Sequence, residues 1–278
     1  MSVPVFRFAP SPNGELHLGH AYSALLNARM AREAGGRFLV RIEDIDTVRC
    51  TAELAAQALA DLAWLGLAWE EPVRVQSRHL NDYAAAQKRL ADMGLLYPCF
   101  CTRKDIAAQS VEGRRDPEGQ PLYPGTCRGL TAPEIEDHAA RGTPYALRLD
   151  MRLALSRLTA VPSFVEQGET VAADPAPWGD VVLVRKDIGT SYHIAVVSDD
   201  ALQGISHVVR GRDLHAATSI HRLLQELLGL PVPTYHHHEL IGDETGRKLS
   251  KSAGDMPLRD LREQGVSAPD IRCALGCA

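Results

Sequence analysis

The sequence predicts an α/β fold organised around a parallel sheet, and three features carry that prediction. Strand-like and helix-like runs alternate through residues 3–93. The apolar spacing switches between period two and period 3.6 at Pro, Gly and Asn punctuation. The loops after two of the strands are polar and charged, as expected where a parallel sheet presents its ligand crevice.

Residues 3–8 are rich in β-formers and read as a strand, stopped by Pro10 and Pro12, which have no N–H for a ladder. Asn13-Gly14 supplies a turn that tolerates positive φ. From His17 onward the spacing of Leu18, Tyr22, Leu25, Leu26 and Met30 is helical. Residues 37–42 form a second strand that runs into Glu43-Asp44-Ile45-Asp46. Thr51 caps a helix reaching about residue 65, and another spans about 81–93.

The character then changes. Residues 97–129 hold clustered cysteines, a charged loop at 112–119 and little periodicity. Residues 145–149 and 181–184 read as strands, and 191–197 and 207–209 resume strand-like patterns. Residues 216–228 form an amphipathic helix ended by Gly229 and Pro231. One or two short helices follow Met256. The expected organisation is a discontinuous sheet domain (1–94 and 191–255), an inserted α+β subdomain (95–190) and a short helical tail (256–278).

The 278 residues, 45% hydrophobic, suffice for one large or two ordinary domains. No apolar run reaches the roughly 18 residues of a membrane span. No basic segment followed by an apolar core opens the chain, so a cytoplasmic protein is expected. A net charge of −5 argues against a general nucleic-acid coat, and an RNA partner would be met by a local basic face. Six cysteines in such a compartment point to metal binding rather than disulfides.

A strand, a proline-stiffened turn and a helix start make an anion site, because the N–H groups of the first turn lack helical partners. His17 and His20 project on roughly one side of that turn, and Gly19 between them permits close approach of a flat group. A capped helix with two exposed histidines is the plainer alternative. Late in the chain, Arg247-Lys248-Leu249-Ser250-Lys251-Ser252 follows a Gly-flanked turn, and its two lysines are mobile charges suited to phosphate.

Together these stretches carry a resemblance. His17-Leu18-Gly19-His20 resembles the HIGH signature of the class I aminoacyl-tRNA synthetases, and residues 247–252 resemble their KMSKS loop with Leu249 for Met. The lead-in Arg7-Phe8-Ala9-Pro10-Ser11-Pro12-Asn13-Gly14 is similar to the glutamyl branch, which usually has Thr at the position of Asn13. Residues 41–46 resemble that branch's RIEDTD, 209–214 its VIRGEDL-type segment and 191–200 its Y-x-x-A-V-V-x-D-D segment.

The resemblance covers about residues 4–255 and implies a Rossmann-like catalytic domain that takes ATP, with Mg²⁺. It implies catalytic roles for His17, His20, Lys248 and Lys251, with ATP bound by His17, Gly19, His20 and Lys251. Carried over position by position, it implies glutamate binding by Arg7, Ala9, Ser11, Glu43, Tyr192 and Arg210. Two arginines near one carboxylate favour glutamate over glutamine. On pattern alone, Arg7 reads more readily as an arginine on the strand's solvent face.

Cys99, Cys101 and Cys127 give three thiolates, one short of the four ligands of structural zinc. Unrelated buried cysteines are the alternative. The arrangement C-x-C…Y-x-x-x-C is similar to that of the glutamyl-queuosine tRNA(Asp) synthetase subfamily, which implies Tyr123 as the fourth ligand of a structural zinc; His138 is a spare candidate. Only 26 residues follow Ser252, so no anticodon-binding domain is expected. This subfamily implies L-glutamate and queuosine-containing tRNA(Asp) as partners of a monomeric, non-membrane ligase. The alternatives are a minimal glutamyl-tRNA synthetase charging the tRNA 3′ end, a ligase or nucleotidyltransferase sharing the core, and a non-catalytic paralogue.

His236-His237-His238 also invites a metal reading. Only His236 and His238 would share a strand face, and no acidic partner has an evident spacing. Cys50, Cys273 and Cys277 suggest no function.

Overall fold

The structure, a computed structural model, describes residues 3–242 and 256–277. Its strands in chain order are β1 (Val5–Phe8), β2 (Arg37–Ile42), β3 (Glu70–Val75), β4 (Leu96–Cys99), β5 (Ala146–Leu149), β6 (Ser163–Glu166), β7 (Glu169–Ala172), β8 (Val182–Val184), β9 (His207–Gly211) and β10 (Thr234–His238). The helices are α1 (Leu18–Glu33), α2 (Ala52–Trp64), α3 (Leu80–Asp92), α4 (Arg103–Gln109), α5 (Ala132–Ala140), α6 (Met151–Ser156), α7 (Tyr192–Leu202), α8 (Thr218–Leu228), α9 (Leu258–Glu263) and α10 (Ala268–Ala274).

The main sheet has the order β3-β2-β1-β9-β10-β6-β7, and every neighbouring pair is parallel except the β6–β7 hairpin. From β1 the chain first builds outward through β2 and β3, then returns to place β9 on the other side of β1. That reversal is a topological switch point, where open parallel sheets leave a crevice beyond the strands' carboxyl ends. All four residues of β1 are buried, as befits a central parallel strand. Phe6 and Phe8 pack with Leu16, Ala24 and Leu62 on one face. Val5 packs on the other with Leu39, Val208 and Tyr235. Arg7 shares the face of Val5 and meets helix α7, so it is not a solvent-face arginine.

The stretch 95–190 divides its strands. β4, β5 and β8 make a separate antiparallel sheet. Leu149 and Leu183 of that sheet share a core with Leu90 of α3, Ile194 of α7 and Leu223 of α8. The β6–β7 hairpin instead extends the main sheet through a two-residue turn with φ of 50° at Gln167 and 89° at Gly168. The stretch keeps one small cluster of its own: Cys99, Phe100, Tyr123 and Cys127. The tail packs back onto the sheet domain, where Leu258 N–H donates to Leu16 O at 2.8 Å and Ile271 joins the α1–α2 core.

One expected strand is a helix. Residues 191–197 belong to the start of α7, not to the sheet. Ile194 to Asp200 are buried without a break, so this helix has no exposed face in its middle turns and its β-branched run mimics a buried strand. No helix among the described residues is long and apolar enough to cross a membrane.

Helix α7 is pinned to the sheet by charge. Asp200 accepts from Arg7 Nε at 3.0 Å and Nη2 at 3.3 Å, and from Arg41 Nη1 at 2.8 Å. Asp199 accepts from Arg74 Nε at 2.7 Å, Gln76 Nε2 at 2.8 Å and Tyr83 Oη at 2.9 Å. Arg41 is fully buried, and burial would favour its neutral form, but Asp200, Glu43 and Asp199 hold it charged. Burial alone would push the Asp200 carboxyl up, yet Arg7 and Arg41 outweigh burial and hold it below its ordinary range. A depressed carboxyl contributes its stability in full above the unfolded value, about 3.9, and loses it as pH falls through the folded value. Asp200→Asn should therefore cost about 3 kcal/mol at pH 7, the scale for breaking a buried ion pair. In urea unfolding, its deficit against wild type should shrink steadily below about pH 4.

Candidate active site

The crevice at the switch point is a cleft of about 870 Å³. Its walls come from the carboxyl ends of the central strands: Ala9 and Ser11 after β1, Glu43 after β2, Arg210 and Gly211 on β9, and His238 on β10. The N-terminus of α1 adds His17, Gly19 and His20, and the start of α7 adds Tyr192. One cleft thus gathers Arg7, Ala9, Ser11, Glu43, Tyr192 and Arg210 with the His17–His20 turn. Lys248 and Lys251 lie outside the described residues.

His17 is the N-cap of α1. Its Nδ1 accepts from Gly19 N–H at 3.1 Å, and Nδ1 of His20 accepts from His17 N–H at 3.1 Å. This is a capping box made of two imidazoles. A backbone N–H can only donate, so each ring must keep Nδ1 unprotonated and carry its hydrogen on Nε2. The rings lie 3.9 Å apart between centroids. Gly19 suits this geometry, since a Cβ there would stand 3.0 Å from Cε1 and 3.2 Å from Nδ1 of His17 and would press on the ring.

Two arginines face this cleft in different electrostatic states. Arg7 is committed to Asp200 through Nε and Nη2. Arg210, only 5% exposed, has uncharged partners throughout among the described residues. Nε donates to His237 Nε2 at 3.1 Å, and Nη1 lies 3.3 Å from Tyr192 Oη and 3.2 Å from His221 Nδ1. Nη2 donates to Thr218 Oγ1 at 2.7 Å and Leu214 O at 3.2 Å. Burial, reinforced by Arg210 itself, pushes His237 down to about 4 and His221 well below its ordinary value, so both are neutral. His193, hydrogen-bonded to His221 at 3.2 Å, is pushed down to about 4 in the same way. Across the cleft, burial raises the Glu43 carboxyl against the pull of Arg41 and Arg7, and Arg41 Nη2 donates to it at 3.1 Å. Ser11 Oγ donates to the Glu43 carbonyl at 3.0 Å.

The cysteines converge elsewhere. The sulfurs of Cys99, Cys101 and Cys127 lie within 4.8 Å of one another, with Cys101 and Cys127 at 3.5 Å. Tyr123 Oη is 3.4 Å from Cys99 Sγ and accepts from Cys127 N–H at 2.8 Å. The Arg148 guanidinium lies 3.8 Å over the Tyr123 ring. Burial opposes ionisation of Cys99, but Tyr123 and Arg148 outweigh it and lower its thiol, whereas burial and Cys127 push Cys101 up to about 12. His138 stacks on Phe100 at 4.0 Å and is not part of the cluster.

Sequence reasoning missed the partners that shape the cleft. Asp200 and Arg41 lie inside quoted motif segments, but their pairing joins residues 159 positions apart. The histidine run does have an acidic partner: Glu166 Oε1 is 2.9 Å from His237 Nδ1, across 71 positions.

The E and Q family of class I tRNA synthetases, described by its catalytic domain, matches residues 4–270. The chain belongs to that family. Within it, the chain is 47% identical to the glutamyl-Q tRNA(Asp) synthetase of Rhodobacter capsulatus, over 98% of this chain and 99% of that protein. It is 42% identical to the protein of the same name from Symbiobacterium thermophilum, over 95% of this chain and 83% of that one. The fold is similar to the crystal structure of glutamate-tRNA synthetase from Elizabethkingia anophelis, with a TM-score of 0.75 and 28% identity. The match covers 95% of this chain and 54% of that one, so the chain spans about half of its length.

Proposed function

We propose that this class I synthetase activates L-glutamate with ATP and transfers it to the queuosine base in the anticodon of tRNA(Asp). Identity to synthetases of that name along nearly the whole chain supports the acceptor. The observation that carries the amino-acid part is Arg210: a buried guanidinium whose partners are all uncharged lines the cleft and calls for an anion. The side-chain carboxylate of glutamate fits that need, with Tyr192 beside it, while Arg7 lines the cleft already paired with Asp200. Glu43 is the acid for the ammonium group, and Ala9 and Ser11 let the backbone approach the ligand closely.

In this reading the α-carboxylate attacks the α-phosphate of ATP, which arrives with Mg²⁺, and pyrophosphate departs. His17 and His20 present Nε2–H groups because their Nδ1 atoms cap the helix, and the N-terminus of α1 adds its partial positive charge beside Gly19. Lys248 and Lys251 would neutralise the departing pyrophosphate. A hydroxyl of the queuosine diol then attacks the mixed anhydride and releases AMP.

We further read residues 95–190 as an insertion between the two segments of a Rossmann-like catalytic domain, lending its β6–β7 hairpin to the main sheet and stapled by zinc. The donor set fits: three thiols and a phenol meet in one cluster, and sulfurs 2.3 Å from a tetrahedral zinc would lie about 3.8 Å apart. Zinc held by Cys99, Cys101, Tyr123 and Cys127 would supply a cross-link to a stretch whose own cluster has four buried residues.

Two outcomes test these assignments. With ATP, labelled glutamate and tRNA with or without queuosine, the label should appear in the anticodon and only when queuosine is present. Label at the CCA end, or transfer indifferent to queuosine, would overturn the acceptor assignment. Metal analysis of the purified protein should find one zinc per chain, lost in Cys101→Ser; a metal-free, equally stable wild type would remove the staple.

A further inference from the structure

The Arg210 charge is held from behind by a chain of groups that the reaction itself does not use. Glu166 ends β6, in the hairpin laid against β10. Its Oε1 accepts from His237 N–H at 3.2 Å and lies 2.9 Å from His237 Nδ1, while Oε2 lies 3.1 Å from His215 Nε2. His237 Nε2 in turn takes the Nε–H of Arg210 at 3.1 Å. The His237 side chain is 1% exposed and that of Glu166 14%.

The three donors Glu166, His215 and His237 lie within 4.8 Å of one another, close enough to suggest a metal. The hydrogen bonding argues otherwise. Arg210 Nε–H can only donate, so Nε2 of His237 must be the nitrogen with the lone pair and Nδ1 the one carrying hydrogen. A metal on Nδ1 would need that second lone pair as well, which a neutral imidazole does not have. A cation there would also stand one ring away from the Arg210 charge.

We propose that Glu166 and His237 are positioning residues for Arg210. Glu166 holds the hydrogen of His237 on Nδ1, which turns the Nε2 lone pair toward Arg210 and locks the guanidinium in the cleft. Without an acceptor at Glu166, the ring is free to move its hydrogen to Nε2, where it meets another N–H and turns the guanidinium aside. The consequence for substrate rests on Arg210 being the partner of the glutamate side chain; the tautomer of His237 does not.

The test combines exchange kinetics with ¹⁵N spectroscopy of histidine-labelled protein. Glu166→Leu should raise the KM for glutamate in ATP–pyrophosphate exchange by roughly tenfold, the scale for unpairing one buried charged donor. The KM for ATP should stay within about twofold, since the His17–His20 turn is untouched. Glu166→Gln, whose carbonyl still accepts from Nδ1–H, should restore most of the loss. In the wild type the His237 ring should show a protonated Nδ1 and a bare Nε2, and Glu166→Leu should shift that balance. A wild-type Nε2–H tautomer, equal effects on both KM values, or broadening of the His215 and His237 signals by added Mn²⁺ would each overturn the proposal. If wild type fails to exchange with glutamate but keeps the Nδ1–H tautomer, the substrate reading falls while the positioning of Arg210 by His237 stands.

Discussion

A buried guanidinium with no anion beside it among the described residues is the constraint around which this cleft is arranged. Charge in a low-dielectric interior is tolerated only when paired or generously hydrogen-bonded, and Arg210 has the second arrangement alone. Two imidazoles, two hydroxyls and one carbonyl surround it. Their cost is visible in the histidines, which burial and the nearby charge force to remain neutral. An arrangement of this kind disfavours cations and gains most when a carboxylate enters. Arg7 differs because Asp200 already meets its charge, so it lines the cleft without demanding a ligand.

The scaffold places these charges where the order of the parallel strands reverses. Parallel strands bring Arg7, Arg41 and Arg210 to neighbouring positions on β1, β2 and β9. Helix α7 supplies Asp199 and Asp200 to the first two and Tyr192 to the third. The same helix therefore anchors the sheet and lines the cleft. On the other side of β1, the α1 cap uses imidazoles where most helices use hydroxyls or carboxylates, which turns a stability device into a pair of oriented donors.

What was readable in the sequence was local. The turn from Arg7 to His20 is contiguous, so its strand, prolines and paired histidines could be interpreted residue by residue, although the capping role of the imidazoles could not. Helix α8 declared itself through amphipathic spacing and α2 through its Thr51 cap. Helix α7 did not, because Ile194 to Asp200 are buried on every side and carry no periodic contrast. The β6–β7 hairpin also escaped notice, since Gln167-Gly168 is a weak turn signal and the strands have only four residues each. Long-range pairs left no trace at all. Nothing in the spacing of Glu166 and His237, or of Arg41 and Asp200, announces that they touch.

The central claim is that Arg210 makes this cleft a receptor for a carboxylate on the substrate side chain. Calorimetric titration with L-glutamate and L-glutamine, which differ only in that group, tests it most directly. The account predicts that glutamate binds roughly tenfold to a hundredfold more tightly, the range expected for a charge-assisted hydrogen bond against its neutral counterpart. Equal affinity for the two amino acids, or preference for glutamine, would contradict it.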